Sequence, residues 1–343
     1  MEFGIGMFGD LHYDLQAKKY QPVAERLHEI IEEVKLADEL GIDVFQMGEH
    51  HRPDYAVPAP EIVLAALSSV TKNIKLASGV TVLSSADPVK VYQDFSMIDL
   101  MSSQRAEITV GRGSFIESFP LFGYSLDDYN ELFEEKLDLL LKLNENESLS
   151  WKGEFRAPLN NQTVYPRPGR KLPVWIAVGG TPSSVVRAAK YGLPIVFAII
   201  GGRWRQFGQL IDFYKQQYEQ FGHDPEKMEI GVHSHTFISE SQQKLIEDYF
   251  PYYKAQMDRV GRDRGWSPFT QLQFEGGMSP EGALVMGDAN QSAEKIIEMT
   301  ETFGLTRFVA HLDVGIPGHK ELMKVIELYA TKVIPQVKKA LEK

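Results

Sequence analysis

A (β/α)8 barrel, also called a TIM barrel, is the fold class that the sequence predicts for this chain of 343 residues. Short apolar runs typical of strands alternate eight times with longer segments of helical periodicity, and neither an internal repeat nor a linker interrupts them. Eight strand–helix units favour closure of a parallel sheet into a barrel over an open sheet. The length fits one such barrel with insertions, so we expect residues 1–343 to form a single domain.

The predicted elements follow one another in a regular order. Strands are expected at residues 2–8, 43–47, 74–83, 106–110, 173–178, 193–200, 229–238 and 306–311. Helices are expected at residues 22–40, 60–70, 88–101, 125–143, 182–191, 205–221, 241–260, 288–303 and 320–341. Prolines at the starts of the second and third helices, and Asp288 before the eighth, are typical of helix N-termini.

Two segments depart from the alternation. Residues 147–168 contain short β-prone pieces rich in turn residues, which predict an inserted hairpin. Residues 261–287 contain Gly and Pro throughout and are expected to form an irregular insertion. This second insertion is either a lid over a site or an ordinary surface loop.

Composition excludes several classes of protein. The chain has 36 Lys and Arg against 47 Asp and Glu, and this net charge of -11 argues against a nucleic-acid or anionic-membrane partner. There are no cysteines, which excludes disulfides, thiolate metal sites and cysteine nucleophiles. The start MEFGIGMFGD is too short and acidic for a signal peptide, and no apolar run approaches membrane-spanning length. The cytoplasm is therefore the expected location.

Three ionisable side chains, Glu49, His50 and His51, directly follow the second predicted strand. Adjacent side chains on an extended backbone point to opposite faces, so Glu49 and His51 are expected to share one side while His50 faces the other. One of them can then serve a ligand and another the scaffold, the alternative being a solvated loop. In a barrel the active site lies at the carboxyl ends of the strands, where this cluster falls.

A glycine-rich turn after the fifth predicted strand predicts a phosphate site. Backbone N–H groups at a helix N-terminus, bared by glycine and joined by hydroxyls, suit a phosphate, although the same pattern also makes ordinary helix caps. Arg112, between two glycines after the fourth strand, would supply the charge, or it pairs with a surface acid. The residues of the turn are Val178, Gly179, Gly180, Thr181 and Ser184.

Four motifs occur in a characteristic order along the chain. They are GEHHRP, SGVTVL followed by ADP, VGRGSF with FPLFG, and VGGTPSS followed by AAKYGLP. Their order over nearly the whole chain resembles the luciferase-like flavin-dependent monooxygenase family, the relatives of bacterial luciferase. The resemblance implies a barrel that binds FMN, usually reduced, or in some branches a deazaflavin.

The resemblance also implies roles for individual residues. His50 resembles the histidine that luciferases use as a base. Asn130 stands where luciferases place a second phosphate-binding arginine, and this difference implies a weaker or differently supplied phosphate site. The Gly79–Val80 step matches the place where relatives have a non-prolyl cis peptide under the isoalloxazine ring. The expected catalytic residues are His50 and Glu49. The expected cofactor-binding residues are Glu49, Gly79, Val80, Arg112, Val178, Gly179, Gly180, Thr181 and Ser184.

The function expected from this resemblance is a monooxygenase that uses reduced FMN and O2 to oxidise a small organic substrate. No GxGxxG fingerprint follows a predicted strand, so NAD(P)H is expected either to act through a partner flavin reductase that supplies the reduced flavin or to bind transiently. A homodimer is expected because relatives are commonly dimers. A deazaflavin-dependent oxidoreductase and a flavin-binding protein without turnover remain alternatives.

The histidines of the last two predicted strands allow a hypothesis of another class. His233 and His235 alternate on the seventh strand and face the same side, a spacing that can ligate a metal. A metal-dependent hydrolase would use both with His50 and His51, whereas the flavin hypothesis expects no metal. His311 and Asp313 end the eighth strand, where they either contact a substrate or lie in a solvated loop.

Overall fold

A closed barrel of eight parallel strands forms the centre of the molecule. The computed structural model describes residues 1–113 and 115–342. Strands adjacent in the chain pair in parallel and β8 pairs with β1, which closes the sheet and confirms the predicted fold class. The strands are β1 Glu2–Met7, β2 Val44–Met47, β3 Lys75–Ser78, β4 Ala106–Gly111, β5 Val174–Val178, β6 Ile195–Ala198, β7 Ile230–Ile238 and β8 Arg307–His311.

Helices surround the barrel, and most lie where the periodicity predicts them, with ends shifted by a few residues. Prolines begin α2 and α3, and the Asp288 side chain caps α11 as predicted. The helices are α1 Val23–Glu39, α2 Pro60–Val70, α3 Pro88–Met101, α4 Ser118–Phe122, α5 Tyr129–Glu145, α6 Pro182–Lys190, α7 Gly208–Gln220, α8 Gln242–Asp248, α9 Phe250–Asp263, α10 Gln271–Met278, α11 Ala289–Phe303, α12 His319–Leu328 and α13 Ile334–Leu341. Within the described ranges, none of these helices has the length and apolar character of a membrane span.

The predicted third strand is interrupted in the middle. β3 ends at Ser78, and the chain pairs with β4 again only at Thr81–Val82. The Gly79–Val80 peptide between the two pieces is cis, as the family resemblance implies. A Cβ on Gly79 would lie 2.8 Å from Cβ of Gln46, so this close approach requires glycine.

The structure confirms the prediction for one of the two irregular segments and contradicts the prediction for the other. A hairpin does occur where it is predicted, formed by the antiparallel strands Ser148–Trp151 and Leu159–Thr163. The expectation that residues 261–287 are irregular is wrong, because this segment contains α10 and a strand, Val285–Gly287, that pairs with β7. Thr270 and Gln273 form a capping box at the start of α10, a local signal that outweighs the glycines nearby.

An ion-pair layer fills the amino end of the barrel interior. The Arg307 guanidinium donates to Glu107 Oε2 at 2.7 Å and to Glu2, and its Cζ lies 4.1 Å from the ring centre of Trp175. This layer closes the barrel interior at the amino ends of the strands. Ligands must therefore enter from the opposite end, where the carboxyl ends of the strands lie.

Candidate active site

A cavity of about 360 Å3 opens at the carboxyl ends of the strands. Its volume falls in the range of roughly 300–1,000 Å3 that is typical of cofactor and ligand sites. The Gly180 residue does not line it but adjoins residues that do. Nine of the ten predicted site residues line the cavity, namely Glu49, His50, Gly79, Val80, Arg112, Val178, Gly179, Thr181 and Ser184.

Arg112 lies at the rim of this cavity and is held by hydroxyl and amide side chains. Its guanidinium donates to Ser184 Oγ at 3.2 Å and to Thr181 Oγ1 at 3.5 Å. It also donates to Asn130 Oδ1 at 2.6 Å, and its Cζ lies 4.8 Å from the ring centre of Tyr129. Asn130 therefore orients the one arginine of the site, in the position where luciferases are expected to have a second one.

The start of α6 leaves space for an anion beside Arg112. A Cβ built on Gly179 or on Gly180 would meet no described atom within 4 Å. Thr181 is the N-cap residue, but its side chain makes no capping hydrogen bond. The Thr181 hydroxyl thus accepts from Arg112 rather than from its own helix, and the backbone at the two glycines borders open space, a better match to an anion site than to an ordinary cap.

The Glu49 carboxylate serves the scaffold of the cavity. Its Oε2 accepts a hydrogen bond from the Val82 N–H at 2.8 Å, and its Oε1 lies 2.9 Å from His51 Nε2. Glu49 and His51 thus share one side, as predicted from the strand geometry. The carboxylate lines the cavity and also fixes the chain just after the Gly79–Val80 step.

His50 lies on the other side, in an aromatic pocket. Its ring centre is 4.6 Å from that of Phe8, 4.4 Å from that of Tyr55 and 5.1 Å from that of Phe115. Burial, with a smaller contribution from the nearby His311, lowers the pKa of His50 to about 3. The imidazole is therefore neutral at physiological pH, and its buried Nε2 has no hydrogen-bond partner in the described part of the chain.

A second histidine, His233, reaches the cavity from β7 and belongs to a buried polar network. Its Nε2 lies 2.7 Å from His311 Nδ1, and His311 Nε2 lies 3.1 Å from Asp313 Oδ1. The side chains of His311 and Asp313 are completely buried, so the solvated-loop alternative for them is wrong. The sequence carried no signal for this network, because its bonds join strands that are far apart in the chain.

The four histidines of the metal hypothesis do not converge on one point. Glu49 contacts His51, and Tyr253 OH lies 2.9 Å from His235 Nδ1. Two clusters of close ligand atoms do occur among the described residues, and Arg26 contacts both. Its guanidinium lies 3.5 Å from Asp313 and 2.9 Å from Glu33, so it already supplies a positive charge to both clusters. These clusters are Asp10, His311 and Asp313, and Glu29, Glu33 and His319.

A second, mainly apolar cavity of about 590 Å3 adjoins the first at Ile200, which lines both. Its walls include Tyr253 of α9, Phe269, and Leu284 just before the strand that pairs with β7. The segment 261–287 therefore forms the wall of a chamber next to the site. This position favours the lid alternative over that of a peripheral surface loop.

Comparison with known proteins places the chain in a family. The family described as luciferase-like monooxygenase matches residues 1–307. The protein belongs to the luciferase-like monooxygenase family. The alkanal monooxygenase alpha chain of Photobacterium leiognathi is 23% identical over 356 residues, which cover 93% of this chain and 97% of that protein.

Two solved structures show the same fold as this luciferase-like protein. The oxygenating constituent of 3,6-diketocamphane monooxygenase from Pseudomonas putida, in complex with FMN, has a TM-score of 0.77 at 19% identity and covers 98% of both chains. The coenzyme F420-dependent tetrahydromethanopterin reductase of Methanopyrus kandleri has a TM-score of 0.73 at 18% identity and covers 98% of this chain and 99% of that one. The fold thus occurs with both kinds of flavin cofactor.

Proposed function

We propose that this protein is the oxygenase component of a flavin monooxygenase, which binds reduced FMN and uses O2 to oxidise a small organic substrate. The observation that carries the proposal is the anion site at the rim. There Arg112, Ser184 and the open backbone of Gly179 and Gly180 adjoin a cavity whose floor contains the Gly79–Val80 step. A phosphate on a planar, largely apolar ring system fits this arrangement.

The residues of the site hold and orient such a cofactor. Arg112 and the α6 N-terminus would bind the phosphate by charge and by hydrogen bonds. Glu49 holds the chain just after Val80 through the Val82 N–H, and the apolar walls of the cavity would exclude water from a bound cofactor. When bound, the reduced flavin supplies the electrons for the reaction with O2. The Nε2 of the neutral His50 has no hydrogen-bond partner among the described residues, so it can form a hydrogen bond with a ligand.

A separate flavin reductase is the proposed source of reduced FMN. The FMN-bound structural relative is itself an oxygenating constituent, which implies another component for electron delivery. We also propose that the enzyme acts in the cytoplasm as a homodimer and that residues 1–343 form one domain. Exposed apolar side chains on α2 and α3 support the dimer, namely Ile62, Met97, Leu100 and Met101.

A deazaflavin is the second candidate for the cofactor. The specific observation in its favour is the likeness to an F420-dependent reductase, which covers nearly the whole chain. In that case the protein would be an oxidoreductase that transfers a hydride without O2. The two proposals share the anion site, so the cofactor must be tested directly.

An anaerobic titration with reduced FMN, and in parallel with reduced F420, tests the proposal. We expect saturable binding of reduced FMN to the wild type and at least a tenfold higher Kd for Arg112→Ala, since a charge-assisted hydrogen bond contributes about 1.5–3 kcal/mol. Arg205→Ala is the matched control, because Arg205 forms ion pairs with two exposed acids, Glu281 and Glu298, and lies over the Trp204 ring, and none of these residues lines the cavity of the site.

Three results would change the conclusion. Absence of saturable binding for either cofactor would contradict the flavin site itself. Tight binding of F420 alone would select the deazaflavin reaction. Tight FMN binding in a protein that consumes no O2 with any substrate in a broad screen would favour the flavin-binding protein without turnover.

A further inference from the structure

We propose that His233 is the acid–base group of this cavity and that the His311–Asp313 pair holds the proton that His233 takes up. The inference rests on the proposed function, because it concerns proton transfer from a ligand bound in the same cavity. His233 lines the cavity and is the group that contacts the ligand. His311 and Asp313 act through it as positioning residues.

The geometry forms a continuous chain from the cavity floor into the protein. β7 and β8 are neighbours in the barrel, with Cα partners that place His233 beside Val309. His233 Nε2 lies 2.7 Å from His311 Nδ1, and His311 Nε2 lies 3.1 Å from Asp313 Oδ1, an ion-pair distance at which His311 Nε2 makes no aligned hydrogen bond with the described residues. The histidine nearest the ligand is thus connected through a second histidine to a buried carboxylate, an arrangement that fixes tautomers and stabilises an imidazolium.

The Asp313 carboxylate is a fixed anion at the inner end of the chain. Backbone N–H groups of Phe8 and Gly9 donate to it at 2.9 and 2.8 Å, and Arg26 lies 3.5 Å away. Burial acts to raise the pKa of Asp313, but contacts with His311 and Arg26 and the backbone bonds outweigh it, so the pKa is lowered. Because an ionised carboxylate only accepts, the proton of His311 must lie on Nε2.

With His311 Nε2 protonated, His311 Nδ1 is free to accept from His233 Nε2–H. That leaves His233 Nδ1 as the lone pair at the cavity side, 3.4 Å from Gln46 Oε1, so the Gln46 amide must rotate to turn its NH2 towards the neutral imidazole. Gln46 also reaches Thr109 Oγ1 at 3.5 Å, and both of these residues line the cavity. The Gln46 amide can present its NH2 to the neutral imidazole and its oxygen to the protonated one, so it accommodates both states.

The proton transfer balances atom by atom. A proton from the ligand binds His233 Nδ1, the proton on His233 Nε2 passes to His311 Nδ1, and His311 becomes an imidazolium beside the Asp313 carboxylate. Burial and the neighbouring His311 lower the pKa of His233, so the positive charge moves inward to the carboxylate. No other reactant is required, and the reverse order returns the proton to the product.

Among the described titratable groups around His233 and His311, Asp313 is the anion that faces the two rings. Burial lowers the pKa of His235 and of His50, which keeps both neutral. Burial and the charge of Asp313 raise the pKa of Asp10 well above its usual range, which keeps that carboxyl protonated. Arg26 faces the opposite side of Asp313 and forms a salt bridge with Glu33.

Nitrogen NMR of the complete protein without cofactor tests the arrangement directly. With 15N-labelled histidine, imidazole spectra show which nitrogen of each ring carries a proton, and the spectra of His233→Asn and His311→Asn assign the two rings among the nine histidines. We expect His311 to carry a proton on Nε2 in the wild type at pH 7. A bare His311 Nε2 facing Asp313 would overturn the proposal; the wild-type spectrum gives this result, and the two variants serve for assignment.

Oxygen consumption with reduced FMN tests the role in catalysis. We expect His233→Asn and His311→Asn to bind reduced FMN within twofold of the wild-type Kd but to consume O2 about 100- to 10,000-fold more slowly, with an altered pH profile. His235→Asn, a buried histidine on the same strand, should lose less than tenfold. Rates within twofold of the wild-type rate and an unchanged pH profile in both His233→Asn and His311→Asn would overturn the proposal. Failure of the wild type to bind FMN would instead contradict the proposed function, and the NMR result would still stand.

Discussion

Two histidines line the same cavity, and their surroundings are opposite. His50 packs against aromatic rings and has a buried nitrogen without a partner in the described part of the chain. His233 is hydrogen-bonded at both nitrogens in a chain that ends on the Asp313 carboxylate. The pKa of each is lowered by burial, but of the two, within the described part of the chain, His233 alone is hydrogen-bonded to a histidine, His311, that forms an ion pair with a buried carboxylate. Position at the rim alone does not decide which histidine can exchange protons.

Removal of the anion should have the largest effect on the His233 side. Asp313→Asn removes the buried anion that accepts from the Phe8 and Gly9 N–H groups, although Arg26 keeps Glu33 as a partner. Because hydrogen bonds to a charged group contribute about 1.5–3 kcal/mol each, we expect a loss of about 3–5 kcal/mol in the free energy of unfolding. Urea denaturation at pH 7 measures this. Glu49→Gln, which changes the carboxylate next to His50 in the chain and bonded to the Val82 N–H, should lose about 1–2 kcal/mol. Equal losses in the two variants would show that the two sides do not differ in this respect.

A smaller effect should follow from displacing the His233 ring. A Cβ on Gly6 would lie 2.8 Å from His233 Cε1, so Gly6→Ala must push the ring away from Gln46. We expect a stability loss of about 1–3 kcal/mol and slower O2 consumption with an unchanged Kd for reduced FMN. The control is Gly169→Ala, whose Cβ would have its closest contact at 3.9 Å. An unchanged rate in Gly6→Ala would separate His233 from the reaction.

The burial of His50 should affect how the stability of the protein depends on pH. The pKa of His50 is lowered from 6.5 to about 3 on folding, so the unfolded chain binds a proton that the folded one does not. The resulting stability is complete above pH 6.5 and is lost as pH falls from 6.5 towards 3. At pH 5 the wild type should have lost about 2 kcal/mol relative to pH 8, and His50→Gln should lack this part of the loss. Parallel pH profiles for the two proteins would contradict the aromatic environment of His50.

The smallest effect is expected at the rim, away from both histidines. Asn130→Ala removes the amide that accepts from Arg112, so the Kd for reduced FMN should rise about two- to tenfold, as expected for one hydrogen bond of 0.5–1.5 kcal/mol. Asn130→Arg adds a second positive charge and should lower the Kd. The rate of O2 consumption at saturating flavin should not change in either variant, which would separate cofactor binding from proton transfer.

Most of the barrel was predictable from the chain alone. The strands and helices are long enough for their hydrophobic periods to be distinct, and glycine and proline mark their ends. The errors occurred where local signals compete. At Thr270 a capping box starts α10 in a glycine-containing segment, and at Gly79 a strand-like run is interrupted by a cis peptide.

The residues of the site also differ in how well the sequence predicted them. The rim residues Glu49, Arg112 and Gly179 were recognisable because each belongs to a short contiguous motif at a strand end. His311 and Asp313 were recognisable as polar residues at the end of the eighth strand, but their place in a buried network was not, because the pattern of a single strand does not show which side chains meet across a barrel.

The sequence by itself determined the eightfold alternation, the positions of the strand ends and the family motifs at the rim, because all of these depend on neighbours along the chain. The tertiary structure alone decided which polar groups meet inside the barrel. Closure of the sheet brings Gln46, His233 and Asp313 from distant parts of the chain into one buried network. Burial and nearby charge, which set the protonation of a histidine, exist only after that closure.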